Sequence, residues 1–543
     1  MRIALLSFVS LLALAGTVFA QDVPLPEPLP KPAPTPLARA LADLRDAPRG
    51  DRAAAIAKVV DLAGTAADVT RTIRAALPAP PTEAGWHVLE ATDSENVTRP
   101  YHLYVPESAV RATEPLPLLI DMHGGVSRPE FIDAERFAQF RETWTEIADE
   151  YGVVVAMPLG RVDCTWWTDA GVRHVQAVIR DAKRHAPIDS DRVVATGFSD
   201  GGSGCYYLAM AAPDPFAALL PMNGHPMVAV GASQRQLYLR NAVSMPLFVC
   251  MTQDDGLYPA QTVLPHILAL IRESAQIHLV SYPTGGHSPS YFEDQSEAFA
   301  GFITSALRDT IPDTIEWATA HIETGRRAWA EVLEIGAADA DAPAEAVPDI
   351  QVLSSPGRVL IGIGIDREYE GAGVRVTTVD DRRPAGELGL QEGDVVIRVD
   401  DATIADLGDL RVVLGKKRFG DELTVEVRRG AESVVATTTI PAFTPEPSYD
   451  REREAAWFSL VRDGNTVDVT SRGVRRLRLH LSDAQFDLTN EIVVVVNGIE
   501  RARELRAPDL QRVVEDWASN ADSGSLFPAF IDVAVPAASG ETK

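Results

Sequence analysis

Four short stretches of the sequence carry residue types suited to nucleophilic attack on a carboxyl carbon. Ser199 lies in Gly197-Phe198-Ser199-Asp200-Gly201, after the apolar run 192–196 and before the helix-forming Cys205-Tyr206-Tyr207-Leu208-Ala209-Met210. A serine on a sharp strand-to-helix turn needs small residues two positions to either side, because the strained backbone leaves no room for a Cβ there. Both positions are glycine. His123-Gly124-Gly125 follows the apolar run 118–122, where a flexible backbone lets N–H groups of the loop from His123 to Val126 face an oxyanion. The Asp200 N–H is the other expected donor. Later, Thr252-Gln253-Asp254-Asp255-Gly256-Leu257-Tyr258-Pro259 offers an acid and Gly285-Gly286-His287 a base, in the chain order Ser, Asp, His. Serine is a weak nucleophile near neutral pH, so His287 has to accept its proton and an Asp has to fix the imidazole tautomer. Asp254 and Asp255 compete for that third role.

The elements that must position these residues follow from hydrophobic rhythm. Between about 84 and 309, short apolar runs alternate with helical segments, the pattern of a mostly parallel sheet covered on both faces. The expected strands are 101–105, 118–122, 153–157, 192–196, 217–222, 247–251 and 277–281, and the chemical stretches fall at their ends. Together these residues resemble the α/β-hydrolase superfamily, and more closely its secreted polyhydroxybutyrate depolymerase and feruloyl esterase-like branch. The resemblance rests on Pro117-Leu118-Leu119-Ile120-Asp121-Met122-His123-Gly124-Gly125, on the serine turn, and on Asp255-Gly256-Leu257-Tyr258-Pro259. In that branch the acid commonly lies four residues before a proline, which carries the role onto Asp255 and leaves Asp254 as runner-up. Cys164-Thr165-Trp166-Trp167 resembles the Cys-Trp-rich loop beside the cleft of those esterases. Trp166 and Trp167 are accordingly candidates for a substrate platform, with packing of the loop as the alternative.

Residues 350–443 change to short strands and single turns. Gly373-Val374-Arg375-Val376, Leu388-Gly389-Leu390, Glu392-Gly393-Asp394-Val395-Val396 and Gly420-Asp421-Glu422-Leu423-Thr424-Val425 closely resemble a PDZ domain of the bacterial type found in exported proteases. The resemblance implies a peptide-binding loop at Ile361-Gly362-Ile363-Gly364-Ile365, whose N–H groups converge on a C-terminal carboxylate while the strand edge pairs with the peptide. Leu410, Val413 and Leu414, on a helical segment 407–417, are expected to close the groove. A rigid spacer without a ligand is the alternative.

Around that module, 314–320 and 327–335 read as a strand pair, and 465–470, 476–481 and 491–496 as further strands, the last closing on the hairpin signal Asn497-Gly498. In Arg476-Leu477-Arg478-Leu479-His480-Leu481 apolar and basic residues alternate, so the basic face is expected to be a solvated exterior. These stretches resemble the β-rich C-terminal module of some exported α/β-hydrolases. The expectation is a sandwich-like β domain built from 311–346 and 446–537 with the PDZ domain inserted; a helical linker around Ile315, Ala318, Ile322 and Ala330 is the alternative.

The ends and the composition set the outer bounds. Residues 1–20 have a charged start at Arg2, an apolar run and small residues before Gln21, the pattern of a secretory signal peptide. A proline-rich linker follows over 21–36, then apolar residues at helical spacing over 37–80, a helical preface. A chain of 543 residues exceeds what one core supports, so several domains are expected. Fifty Lys and Arg against 77 Asp and Glu give a net charge of −27, which argues against nucleic acid and anionic lipid as partners. Three cysteines cannot form a disulfide framework; buried thiols are the default, with a Cys164–Cys205 bridge as the alternative. No His, Cys and carboxylate cluster at ligand spacing appears, so no metal or organic cofactor is expected. The whole reads as an exported, periplasmic or extracellular serine hydrolase without a membrane anchor, acting on esters of unspecified acyl group. A serine peptidase of the prolyl oligopeptidase type and a catalytically idle PDZ-containing binding protein are the competing readings.

Overall fold

The computed structural model describes residues 33–536, apart from 76, 78, 79, 81, 133, 338–348, 358, 367, 450, 452 and 453. The signal-peptide stretch 1–20 and most of the proline-rich segment lie outside the described residues.

The central domain is one eight-stranded sheet. Its strands are β1 (Gly85–Thr92), β2 (Thr98–Val105), β3 (Leu116–Met122), β4 (Val154–Pro158), β5 (Ile188–Phe198), β6 (Ala218–Met222), β7 (Leu247–Thr252) and β8 (Ile277–Tyr282), in spatial order β1-β2-β4-β3-β5-β6-β7-β8. β1 and β2 pair antiparallel, as do β2 and β4, while the pairs from β4–β3 to β7–β8 are parallel. Strands β4, β6 and β7 are buried throughout, which is why their sequences are apolar without alternation. Strand β1 has no counterpart among the sequence-expected strands. It is an edge strand whose Val88 is exposed, and it is fixed by a tight turn in which Asp93 Oδ1 accepts from the Glu95 and Val97 N–H groups at 2.9 Å.

The helical preface consists of α1 (Pro36–Asp46), α2 (Arg52–Leu62) and α3 (Ala66–Arg74). Thr35 and Thr65 cap α1 and α3 by accepting backbone N–H bonds at 3.1 Å, and proline at the start of α1 gives up a donor that has no helical partner anyway. Their apolar faces meet the C-terminal helix Leu510–Asn520: Leu41, Leu44, Val59, Val69 and Ile73 form one buried cluster with Val513, Val514 and Trp517. The Trp517 indole N–H donates to the Leu41 carbonyl at 3.1 Å. The two ends of the described chain therefore share a core.

Downstream of β8, two β-sheets enclose a second core containing Trp317, Trp329, Phe458, Leu477 and Phe486. Thr314–Thr319 pairs antiparallel with Ala456–Asp463 in a five-stranded sheet, whereas Ala330–Ile335 pairs antiparallel with Val474–Leu481 in a four-stranded one. The two early strands are thus not partners of each other, contrary to the pairing read from their turn. Each Trp indole closes this arrangement locally, Trp317 donating to the Thr324 carbonyl and Trp329 to the Pro312 carbonyl, both at 2.8 Å. Asn497 and Gly498, both at positive φ, form the hairpin between Ile492–Val496 and Ile499–Glu504. The basic face of Val474–Leu481 is not simply solvated. His480 is buried against Glu331 at 2.8 Å and Arg512 at 3.2 Å, and Arg478 pairs across the sheet with Asp532 while lying over the Phe530 ring. The helix Leu510–Asn520 brings Arg512 to that face.

Between these strands the chain forms the PDZ sheet, in order Ile363–Ile365, Val374–Val379, Val395–Val399, Glu422–Arg429 and Glu432–Thr439. It leaves and rejoins the rest of the molecule through two adjacent segments. The Ser354 N–H donates to the Glu446 carbonyl at 2.7 Å and the Ser448 N–H to the Val352 carbonyl at 2.8 Å. Ile350, Val352 and Tyr449 of this stem are buried in the core of the central domain, where the Tyr449 hydroxyl meets His266 Nδ1 at 2.9 Å on the helix Ala260–Arg272.

Candidate active site

Ser199 stands between β5 and the helix Asp200–Ala211 with φ 61° and ψ −118°, a conformation costly for a residue with a Cβ. The neighbouring glycines make it attainable. A Cβ on Gly197 would lie 2.4 Å from the Met122 carbonyl oxygen at the end of β3, and one on Gly201 would lie 1.7 Å from the same atom. Backbone bonds fix the turn from both sides, Ser199 N–H to the Met222 carbonyl at 3.0 Å and Ser203 N–H to the Ser199 carbonyl at 2.9 Å.

The structure brings the late elements to this serine. His287 Nε2 lies 2.8 Å from Ser199 Oγ and its Nδ1 lies 2.8 Å from Asp255 Oδ2. Of the two competing acids, Asp255 is therefore the one that meets the imidazole. Asp254 Oδ1 instead accepts the Gly286 N–H at 2.7 Å and braces the histidine loop. Burial pushes the Asp255 carboxyl upward, but hydrogen bonds from His287, from Asn223 and from the Tyr258 and Leu257 N–H groups outweigh it and hold the pKa down at about 2. A carboxylate held this firmly in its ionised form favours the tautomer with a proton on Nδ1, leaving Nε2 open to accept from Ser199.

The loop His123–Val126 runs beside Ser199: a Cβ on Gly124 would lie 3.0 Å from Ser199 Cβ and 3.6 Å from its Oγ. The His123 imidazole is hydrogen-bonded to backbone groups through both of its nitrogens. Its Nε2 accepts the Gly160 N–H at 2.9 Å, so Nδ1 carries the proton and donates to the Gly124 carbonyl at 2.9 Å. Gly125 has φ +71°, which favours glycine, and a Cβ there would meet the Arg128 guanidinium at 2.9 Å. Val126 corrects the expected donor set, since its N–H donates to Asp200 Oδ2 at 2.9 Å and is spent on holding the loop to the helix. The Asp200 N–H stands in the first turn of that helix, where N–H groups have no intrahelical acceptor. Gly124 of this loop and Asp200 of the helix are thus the backbone neighbours of Ser199 on its two sides.

Trp166 and Trp167 are not an exposed platform. Both are buried, and Trp166 is wedged so tightly that a Cβ on Gly160 or on Gly204 would lie 2.8 or 2.5 Å from its side chain. Its indole N–H donates to the His123 carbonyl at 2.8 Å. Trp166 thus supports the His123–Val126 loop and packs against the helix that follows Ser199. The aromatic rings that do flank His287 are Phe198 and Tyr258, at centroid distances of 4.9 and 5.3 Å.

Asn223 was not legible as a site residue. Its Nδ2 donates to Asp255 Oδ2 at 2.8 Å and to Thr252 at 2.9 Å, while its Oδ1 accepts from the Tyr291 hydroxyl at 2.6 Å. The available signal was its position directly after a buried strand and before a glycine, in a turn that needs positive φ. The cysteines 164, 205 and 250 are all free and buried, so no Cys164–Cys205 bridge forms, and burial raises each thiol pKa. Among the described residues, no group of three or more His, Cys, Asp or Glu is placed to hold a metal ion. No described helix is long and apolar enough to cross a membrane.

In the PDZ sheet, Ile363–Ile365 is an edge strand paired with a single neighbour, and Gly362 has φ +87° where a Cβ would strike Arg383. Ile361 and Leu410 point into the PDZ core rather than a groove, each about 3% exposed, while Ile363, Ile365, Val413 and Leu414 are half-buried at its margin. The helix spans Leu407–Leu414, shorter than read from the sequence.

The comparisons with known proteins divide along these modules. Residues 160–334 match the dienelactone hydrolase family model, and residues 360–440 match the PDZ domain model. The bifunctional acetylxylan esterase/xylanase XynS20E of Neocallimastix patriciarum is 29% identical over 163 residues, 29% of this chain and 22% of that protein. This chain thus spans less than a quarter of that relative's length. A thermostable esterase structure is 20% identical with a TM-score of 0.34, covering 41% of this chain and 63% of that one. An acylaminoacyl peptidase in complex with Z-Gly-Gly-Phe-chloromethyl ketone is 15% identical with a TM-score of 0.32, covering 41% and 42%. An S-formylglutathione hydrolase from Staphylococcus aureus is 16% identical with a TM-score of 0.32, covering 41% and 100%.

The packing at Ser199 yields a specific expectation. Gly201→Ala places a methyl inside the Met122 carbonyl, so the turn has to open, and the variant should lose stability by about 3 kcal/mol or more. Chemical denaturation compared with the parent checks this, and an unchanged midpoint would contradict the geometry. The eight-stranded α/β sheet is thus similar over residues 160–334 to the dienelactone hydrolase family, and residues 360–440 are similar to PDZ domains.

Proposed function

We propose that the protein is a serine hydrolase that cleaves carboxylic esters through an acyl-enzyme. The observation that carries this reading is the hydrogen-bonded line from Ser199 Oγ through His287 to Asp255, both links 2.8 Å long. In the proposed reaction Ser199 Oγ bonds to the ester carbonyl carbon as its proton passes to His287 Nε2. The carbonyl π electrons move to oxygen, and that oxyanion is met by the Asp200 N–H and the Gly124-Gly125 backbone. Collapse expels the alkoxide, which takes the proton from His287, and water repeats the sequence on the acyl-enzyme to release the acid and free Ser199. Asp255 keeps the imidazole in register and stabilises the imidazolium, while Asn223 and the two N–H bonds from Leu257 and Tyr258 keep Asp255 in place.

The likeness to an acetylxylan esterase over part of the chain and the resemblance to feruloyl esterases favour esters over peptides. The PDZ module is the observation that favours the peptidase reading. Fluorophosphonate labelling followed by assay on p-nitrophenyl acetate, methyl ferulate and an unstructured peptide separates the readings. Labelling and ester turnover are expected, both lost in Ser199→Ala, with turnover falling roughly 10⁴-fold or more. Peptide cleavage without ester turnover would replace esterase with peptidase, and absent labelling would leave an idle binding protein.

The reading includes peptide capture by the PDZ domain, with Ile361–Ile365 taking a C-terminal carboxylate and the free edge of Ile363–Ile365 pairing with the peptide. Hydrophobic C-terminal peptides should bind, and amidating their carboxylate should abolish binding by calorimetry. Equal binding of both forms would remove this part of the reading. It also includes export, supported by the leader-like stretch 1–20. Mass spectrometry of the mature protein should then find Gln21 at its N-terminus, and retention of Met1 would count against it.

A further inference from the structure

A cavity of about 450 Å³ lies away from Ser199, where the hydrolase domain, the β-rich domain and the segment after the C-terminal helix meet. Its charge composition inverts that of the chain. Six cations line it, Arg173, Arg180, Lys183, Arg308, Arg326 and Arg327, against five carboxylates, in a protein with 50 Lys and Arg and 77 Asp and Glu. The principal carboxylates are already engaged. Asp522 is gripped by Arg308 at 2.7 and 2.9 Å, Asp214 by Arg327 at 3.1 Å and the Ala328 N–H at 2.9 Å, and Glu331 by His480 at 2.8 Å.

Among the described residues, three of the cations make their hydrogen bonds to neutral oxygens. Lys183, 6% exposed, donates to Ser190 Oγ and the Ala521 carbonyl, both at 2.9 Å. Arg180 donates to the Thr92 and Ser519 carbonyls, and Arg326 to the Ala328 carbonyl at 3.2 Å with its nearest carboxylate, Asp214, at 3.8 Å. Arg180 and Lys183 belong to the hydrolase domain and Arg326 to the β-rich domain, so the two domains present like charges to a shared space. Taking cations out of water is costly, and burial lowers the pKa of both Lys183 and Arg180 although carboxylates such as Asp522 near Lys183 and Asp181 near Arg180 act the other way. An anion between the walls would offset that cost and bridge the domains at once, and guanidinium forks suit oxyanions in particular.

We propose that this cavity binds a small oxyanion carrying two or more negative charges, at a site separate from Ser199. Its volume is that of a small-molecule site. The test uses the full chain, with calorimetric titration and thermal denaturation in pyrophosphate and in citrate at constant ionic strength, and with sodium chloride as control. Saturable binding and a rise in Tm beyond the chloride control are expected for at least one of the two. Arg180→Gln and Arg326→Gln, which remove a cation from opposite walls, should each weaken binding at least tenfold while leaving Ser199-dependent ester turnover unchanged. Binding of pyrophosphate alone would assign a phosphate-type ligand, and of citrate alone a polycarboxylate; both support the site. Absence of saturable binding by either anion would overturn it, as would affinity unchanged in both variants. The Arg326 side chain is 38% exposed, so its variant keeps the test open if Arg180→Gln fails to fold.

Discussion

The Met122 carbonyl oxygen occupies the space that side chains at 197 and 201 would need. That contact ties the end of β3 to the turn after β5, and these strands are parallel neighbours with Met122 registered on Gly197. It forces the helix Asp200–Ala211 close against the sheet and leaves Ser199 in its left-handed conformation. The residue after Met122 begins the His123–Val126 loop, so the strand that props the Ser199 turn also delivers the backbone beside it. Trp166 then secures the same loop through the His123 carbonyl, and Val126 secures it to Asp200. The site is thus assembled around one peptide group, with side chains filling in behind.

Much of this was legible because it is local. Glycines two positions either side of Ser199, the glycine pair after His123, and an acid and a histidine at the ends of successive strands all follow from short-range backbone demands. The residue types alone leave Asp254 and Asp255 equal and the family resemblance favours Asp255; the fold supplies the physical reason, since adjacent residues on a turn point in different directions and the observed loop sends Asp254 to the Gly286 N–H. Trp166 misled because its type suits a ligand platform, while the glycines that enclose it, Gly160 and Gly204, are remote in sequence from each other. Asn223 offers only its place before a glycine in a tight turn, since its bonds to Asp255 and Tyr291, like the commitment of the Val126 N–H to Asp200, join residues far apart in sequence.

The same division holds for the β-rich domain. Alternation in Val474–Leu481 correctly assigns Leu477, Leu479 and Leu481 to a core, but it says nothing of what lies over the other face. There Arg512 arrives from a helix and His480 becomes buried. The early strands Thr314–Thr319 and Ala330–Ile335 join different sheets because each is matched by a partner more than a hundred residues later, a topology that turn chemistry cannot encode. Electrostatics follows the same rule: a chain with a large excess of acid still concentrates arginines where two domains meet.

The PDZ stem has a kinetic consequence. A domain joined by a single flexible linker samples a volume, and whatever it holds reaches a neighbouring site at an effective concentration set by chain statistics. Here two cross-bonded segments enter side by side, and Tyr449 anchors them on the helix that begins immediately after the Asp255 loop. Such a mount acts less like a tether than like a bracket. A bound peptide would be carried at a bearing fixed relative to the sheet, and lengthening only one of the two segments would change that bearing rather than merely loosen it.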